Sequence, residues 1–174
     1  LAAEPGSRLI TGVRPGVHPG QFRRAAQAGQ LDGMLIEQPV RPGDVVFIPA
    51  GCLHAIGAGI LLAEFQQPSD TTYRVCDWGR LQPDGRPRQL HLDQAMDCIR
   101  FDRPLPPSGG LGILADSCGL HLESLVEGDS FYLHRATLEH GVFSRRLDRN
   151  FECVMIAQGK GFLATADDAE YWPL

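Results

Sequence analysis

Residues 43–54 read Gly-Asp-Val-Val-Phe-Ile-Pro-Ala-Gly-Cys-Leu-His, a G-x5-P-x-G-x2-H spacing. Gly43-Asp44 suits a tight turn, and Val45 to Ile48 is a β-branched and aromatic run that predicts a short buried strand. Pro49 ends that strand, and Gly51 permits a second tight turn. The next strand then opens with a polar imidazole, His54, among Leu53, Ala55 and Ile56. A lone histidine in an apolar stretch is ordinarily a satisfied core residue. Inside this spacing the metal-ligand reading is the stronger one, because neutral imidazole is a common ligand and a rigid strand would aim it into a small β-barrel.

The next segments add polar groups to the same region. In the predicted strand 59–67, period-two alternation puts Leu62, Glu64 and Gln66 on one face and Leu61, Ala63 and Phe65 on the other. A carboxylate and an amide inside an apolar strand are costly if buried without partners, so they point to a polar lumen rather than an apolar core. The following strand, 71–78, carries Arg74 on a face with Thr72 and Cys76. A guanidinium there requires an anion. It is either a structural partner such as Glu64 or Asp70, or a substrate oxyanion or phosphate.

The chain has 174 residues, 43% of them hydrophobic and 21% charged, which is ordinary globular composition. Its net charge of -5 argues against general binding to nucleic acid or to an anionic membrane. A small phosphorylated ligand is still compatible, since a few local arginines suffice for it. There are fifteen arginines and one lysine, Lys160. The five cysteines (Cys52, Cys76, Cys98, Cys118, Cys153) are odd in number, widely spaced and free of any Cys-x-x-Cys, so neither a disulfide framework nor a zinc ribbon is expected. They read as small residues of a reducing compartment. With no membrane-length apolar run and no visible signal peptide, the expected location is the cytoplasm.

Residues 7–13 read as a strand and 20–36 as a helical insert, with Phe22, Ala25, Ala26, Leu31, Met34 and Leu35 at helical steps interrupted by Gly29 and Gly33. Strands are expected at 45–48, 53–56, 59–67 and 71–78, a loop at 79–90 with turn chemistry at Pro83-Asp84-Gly85, and a short helix at 91–99 with Leu92, Ala95, Met96 and Ile99 inward. Residues 102–112 are Pro/Gly-rich and read as a linker. Strands at 119–126, 130–134, 139–146 and 151–157 follow. The expected organisation is a mainly β chain: a barrel over 1–104 with a helical insert, a boundary near residue 105, and a smaller β unit over 105–174. The first residue is Leu1 and the last is Leu174, directly after a polar turn. Both ends read as cut, so the chain is expected to be an internal fragment that exposes strand edges.

The 43–54 spacing resembles the second signature motif of the cupin barrels, departing from it at Ala58, where a polar residue often stands. The longer string Pro-Gly-Asp-x4-Pro-Ala-Gly-x2-His-Ala-Ile-Gly-x-Gly, then Glu-x-Gln-Gln-x-Ser-Asp-Thr-Thr-Tyr-Arg-Val-x-Asp-Trp-x-Arg, resembles the mannose-6-phosphate isomerases in their short bacterial form. The likeness runs over residues 1–100 and is weaker beyond. It implies a cupin-type jelly-roll barrel followed by part of a second, and a zinc enzyme that interconverts mannose 6-phosphate and fructose 6-phosphate. By position it makes His54 a zinc ligand, Arg74 the active-site arginine, and Glu64 and Asp70 acidic residues lining the pocket. Arg80, Arg86 and Arg88 sit near the pocket segment, where each could contact the phosphate of a phosphorylated hexose; Arg80 is kept as the substrate-binding candidate, and for Arg86 and Arg88 a place in solvent as loop arginines is the better reading. The family's other zinc ligands, a Gln-x-His pair and a glutamate in a Lys-x-Glu segment, have no match in this chain, and His18 in its Val-His-Pro-Gly turn is no substitute. Lys160 is too distant in sequence to stand in for the family's pocket lysine. One imidazole does not fill a zinc site of usual coordination.

Two other readings compete. A non-catalytic sugar-binding or regulatory module could share this fold. An iron-dependent oxygenase would need a His-x-His that this chain lacks. His134, Glu139 and His140 are close in sequence, but their spacing matches neither strand nor helix convergence, so a solvated turn is expected there.

Overall fold

In a computed structural model, residues 1–102, 109–144, 146, 151–164 and 171–173 are described. The chain forms two compact units, Leu1–Gly109 and Gly110–Leu174. The expected boundary near residue 105 lies outside the described residues.

The first unit is built on a three-stranded antiparallel sheet. Strand β2 (Arg8–Val13) is central, flanked by β3 (Leu35–Pro39) and β4 (His54–Ile56). The register sets Ile10 opposite Glu37 on one side and Ala55 on the other, and Thr11 opposite His54. A separate pair joins β1 (Ala2–Ala3) to β5 (Ile60–Leu61). The Ser7 hydroxyl ties the two regions together by donating to the carbonyls of Ala58 (3.0 Å) and Gly59 (3.1 Å).

Helix α1 (Pro19–Gln27) begins where chemistry favours it. Pro19 occupies the first turn, and the His18 ring accepts from the Gly20 amide at the N-cap. It ends at Gln27 because Gly29 takes the left-handed conformation (φ 68°). The Gln30 amide reaches back to the Ala25 carbonyl and the Gly29 amide to that of Ala26, the paired bonds of a Schellman cap. The helical insert expected over 20–36 is therefore too long. Leu31 and Leu35 are buried, but from a turn and a strand rather than from a helix face. Helix α2 (Leu92–Cys98) lies within its expected span. Ala95 is in the core, and Leu92, Met96 and Ile99 line it as expected. Arg23 of α1 pairs with Asp93 of α2.

Phe22 is the centre of this core. It is fully buried, meets Phe101 edge-to-face at 5.4 Å, and is surrounded by Val13, Ala26, Leu31, Leu35, Val75 and Ala95. Burying such a ring contributes about 1.5–3 kcal/mol by area alone. Three expected strands are shorter or absent. Residues 45–48 and 71–78 form no strand, and 59–67 contracts to Ile60–Leu61.

The second unit is a meander of β6 (Gly112–Ser117), β7 (Leu120–Glu127) and β8 (Tyr132–Leu138), joined in that order. The β6–β7 hairpin turns on Cys118 and Gly119, both with positive φ (53° and 81°), as a two-residue loop matching strand twist requires. Strand β6 starts inside the expected linker, and β8 runs beyond the expected 134. Residues 139–144, 146 and 151–157 are not strands. An unexpected antiparallel pair joins β9 (Phe162–Ala164) to β10 (Tyr171–Pro173). Across β7 and β8, Glu123 faces Arg135 in register and accepts its Nε–H at 2.7 Å. That bond, with the charges of Arg135 and His121, holds Glu123 below the usual carboxylate range against the opposing effect of desolvation. No helix among the described residues is long and apolar enough to cross a membrane.

Candidate active site

The 43–54 segment folds around a β-turn. The Cys52 amide donates to the Pro49 carbonyl (3.1 Å), and Gly51 at the third position has φ 82°, the geometry a type II turn demands. The turn docks on the end of α2. The Arg100 amide donates to the Gly51 carbonyl (2.9 Å), and a Cβ on Gly51 would stand 2.8 Å from the Cys98 carbonyl oxygen. Two residues later the chain enters β4 with His54. Its Nδ1 lies 3.1 Å from the Cys52 carbonyl. A carbonyl only accepts, so Nδ1 is the donor, and in the neutral ring this leaves the Nε2 lone pair free, the arrangement that orients a ligating histidine. Cys52 is half-buried, and burial pushes its thiol above the usual range, so it stays protonated.

His54 is exposed and stands at a small cleft of about 70 Å³. Leu31, Leu35 and Leu53 form part of the apolar wall, with Tyr73, Cys76 and Trp78 beside them. Beside His54 in the sheet, Thr11 is fully buried and its hydroxyl has no hydrogen-bond partner among the described residues.

Arg74 is not among the residues lining that cleft. Its Nη1 donates to the Gln89 carbonyl (3.2 Å), its amide to His91 Nδ1 (3.3 Å), and its carbonyl accepts from the His91 amide (2.7 Å). The carboxylate near it is Asp77, with Nε 3.9 Å from Oδ1, rather than the Glu64 or Asp70 considered from sequence. Glu64, Asp70 and Arg80 are all exposed and none lines the His54 cleft; Arg80 comes near Arg74 through Asp77, whose carbonyl accepts the Arg80 amide at 2.9 Å. The polar-lumen face expected for Leu62, Glu64 and Gln66 is likewise open. Leu62 is half-buried and the other two are exposed, in a segment that is not a strand.

Asp77 and Arg88 are the residues that sequence reasoning passed over. Asp77 is buried, 8% exposed. Arg88 grips it bidentately, through Nε to Oδ2 at 2.7 Å and through Nη2 to Oδ1. The expected solvent placement holds for Arg86, which is exposed, but not for Arg88. The loop 79–90 folds back as a small hairpin, with the Gly85 amide on the Gln82 carbonyl and Leu81 bridged to Pro87, and this returns Arg88 to Asp77. The hydrogen bond from Arg88, then the charges of Arg88, Arg74 and Arg80, outweigh desolvation and keep the Asp77 carboxyl below the usual range. The signal available in sequence was the Pro83-Asp84-Gly85 turn, which sets residues on its two sides facing each other.

No protein-family model matches the chain. Curated relatives do. A mannose-6-phosphate isomerase of Streptococcus mutans is 39% identical over 104 residues, 60% of this chain and 33% of that protein. A mannose-6-phosphate isomerase of Bacillus subtilis is 45% identical over 73 residues, 42% of this chain and 23% of that protein. The crystal structure of the mannose 6-phosphate isomerase from Bacillus subtilis superposes with a TM-score of 0.76 at 27% identity, over 99% of this chain and 53% of that one. The chain is similar to the mannose-6-phosphate isomerases. It spans a quarter to a half of the length of the proteins it matches. The mainly β architecture and the cupin-type fold expected from sequence agree with this match, although the sheets among the described residues are separate and short rather than a closed barrel.

Among the described residues no three of His, Cys, Asp and Glu converge as a metal site would require. His54 has the tautomer and exposure of one ligand. The described residues do not make a complete zinc site, so no chemical step can be derived through zinc from this chain alone.

Proposed function

We propose that this chain carries part of the active site of a zinc-dependent aldose–ketose isomerase that interconverts mannose 6-phosphate and fructose 6-phosphate. The observation that carries the reading is the joint similarity to mannose-6-phosphate isomerases, in sequence over 104 residues and in fold over 99% of the chain. Zinc, when bound, would act as a Lewis acid on the sugar oxygens, with His54 as the ligand this chain contributes.

The isomerisation moves a proton between C1 and C2 through a cis-enediol(ate), so negative charge grows on oxygen in the transition state. Arg74 suits that charge. It is permanently cationic, its side chain is 24% exposed, and Nη2 has no partner among the described residues. The resemblance, rather than the described geometry, supports Glu64 for the proton transfer between the two carbons. Asp70 and Arg80 are proposed on the same ground as residues that meet the substrate.

A non-catalytic sugar-binding module is the second reading, compatible with the described residues, among which no three of His, Cys, Asp and Glu are grouped to hold a metal. The two separate in a coupled assay on the natural gene product. An isomerase loses turnover on chelation and regains it with zinc. Turnover that survives both complete metal removal and Arg74→Ala would overturn the mechanism, and ligand binding without turnover would favour the module.

A further inference from the structure

Two guanidinium groups flank one buried carboxylate, and a backbone turn closes beside it. Arg88 takes both oxygens of Asp77, Arg74 stands 3.9 Å away, and Arg80 donates its amide to the Asp77 carbonyl at 2.9 Å. The partnership is unequal. Arg88 makes short, forked hydrogen bonds and uses up the oxygens. Arg74 is near enough to feel the charge yet too far to share a hydrogen bond, so apart from Nη1, which holds the Gln89 carbonyl, its donors stay available to another anion.

The backbone at the same place is strained. Trp78 has φ 48°, a left-handed conformation that a bulky aromatic rarely adopts, followed by Gly79 at 70°. The Arg80-to-Asp77 bond closes this turn. Trp78 lines the His54 cleft while its neighbour Asp77 faces Arg74 and Arg88. Such strain is held only where the surroundings over-determine it, and it concentrates at functional sites.

We propose that Asp77, clamped by Arg88, is the positioning residue for Arg74. The Arg88 fork fixes the carboxylate, the carboxylate fixes where the Arg74 guanidinium stands, and Arg74 keeps unshared N–H groups for the oxyanion. Arg88 is thus a brace reached through a loop hairpin, and touches no substrate. The inference rests on the isomerase reading and extends it to two residues outside the reacting set.

The test is a double-mutant cycle in the natural gene product, with steady-state kinetics of mannose 6-phosphate isomerisation. Arg74→Lys keeps a charge and so retains measurable turnover. Asp77→Asn in the otherwise native protein should lower kcat by about ten- to a hundredfold, the scale of a displaced catalytic group, with KM moving by less than about threefold. In the Arg74→Lys background the same change should cost less than about twofold, because the group it positions is already altered. Asp77→Glu should recover part of the loss. If Asp77→Asn fails to fold, Arg88→Lys, which keeps charge but loses the fork, takes its place in the cycle with the same expected coupling. Equal losses in both backgrounds would overturn the positioning role while leaving the isomerase reading intact. Absence of turnover in the native protein would sink the isomerase reading and this inference with it.

Discussion

Replacing Gly51 with alanine tests whether the turn before His54 is held by its packing on α2 or only by its backbone conformation. Two costs are visible. The residue sits at φ 82°, which disfavours any L side chain by about 1–2 kcal/mol. The added methyl would also stand 2.8 Å from the Cys98 carbonyl oxygen and 2.8 Å from Arg100 Cγ. The Arg100 side chain can swing aside, but the carbonyl belongs to the end of α2, so the turn or the helix must move, at about 1–3 kcal/mol for an overpacked site. Against this, alanine restricts the unfolded chain and returns about 0.4–1 kcal/mol. The net loss is therefore about 1–5 kcal/mol, by the same strain and overpacking estimates. Gly29→Ala is the control. It has φ 68° and nothing within 4 Å of the added methyl, so it bears the conformational cost without the crowding. Urea unfolding followed by far-UV circular dichroism and by tryptophan fluorescence should place the Gly51→Ala midpoint roughly 0.3–3 M below that of Gly29→Ala, for an overpacking cost of about 1–3 kcal/mol and slopes of about 1–3 kcal/mol/M. Equal midpoints would refute the docking of the turn on α2.

Thr11→Val should leave stability unchanged or raise it by about 1 kcal/mol, since the buried hydroxyl it removes has no partner among the described residues. A clear loss in thermal denaturation would mean that the hydroxyl is bonded. Acid should weaken the fold through Asp77 and Glu123, both held below the usual carboxylate range by arginine hydrogen bonds. A depressed folded pKa contributes stability that is complete above the unfolded value and is lost as pH falls through the folded one. Stability should therefore hold down to about pH 5 and decline below about pH 4, and Glu123→Gln should flatten that decline. An unaltered acid slope in that variant would count against the Glu123–Arg135 pair.

Local chemistry was legible in the sequence and distant pairing was not. The Pro-Ala-Gly turn, the strand that His54 opens and the inward face of α2 all follow from residue types within a few positions of one another. The α1 end was misread although its signal was present. Leu31, Met34 and Leu35 continue a helical period past Gly29, and the period outweighed the glycine that forms the cap. Leu35 is buried because it opens β3, which pairs with β2 far away in sequence, while Leu31 and the partly buried Met34 pack from the turn before it. In the second unit, β6 was hidden because its residues adjoin a Pro/Gly-rich stretch and are largely exposed. Ile113, 63% exposed, shows none of the burial that alternation is meant to detect. At the candidate site His54 and Arg74 could be singled out from their neighbours. For the Asp77–Arg88 pair the sequence carries only the Pro83-Asp84-Gly85 turn, which predicts that the chain returns on itself but not which residues meet across eleven positions.

The most direct test of the account is to supply the purified natural gene product with mannose 6-phosphate and follow fructose 6-phosphate. The account predicts turnover that disappears in both His54→Ala and Arg74→Ala variants while each remains folded. Tight sugar-phosphate binding with no isomerisation by the native protein, or turnover indifferent to both substitutions, would contradict it.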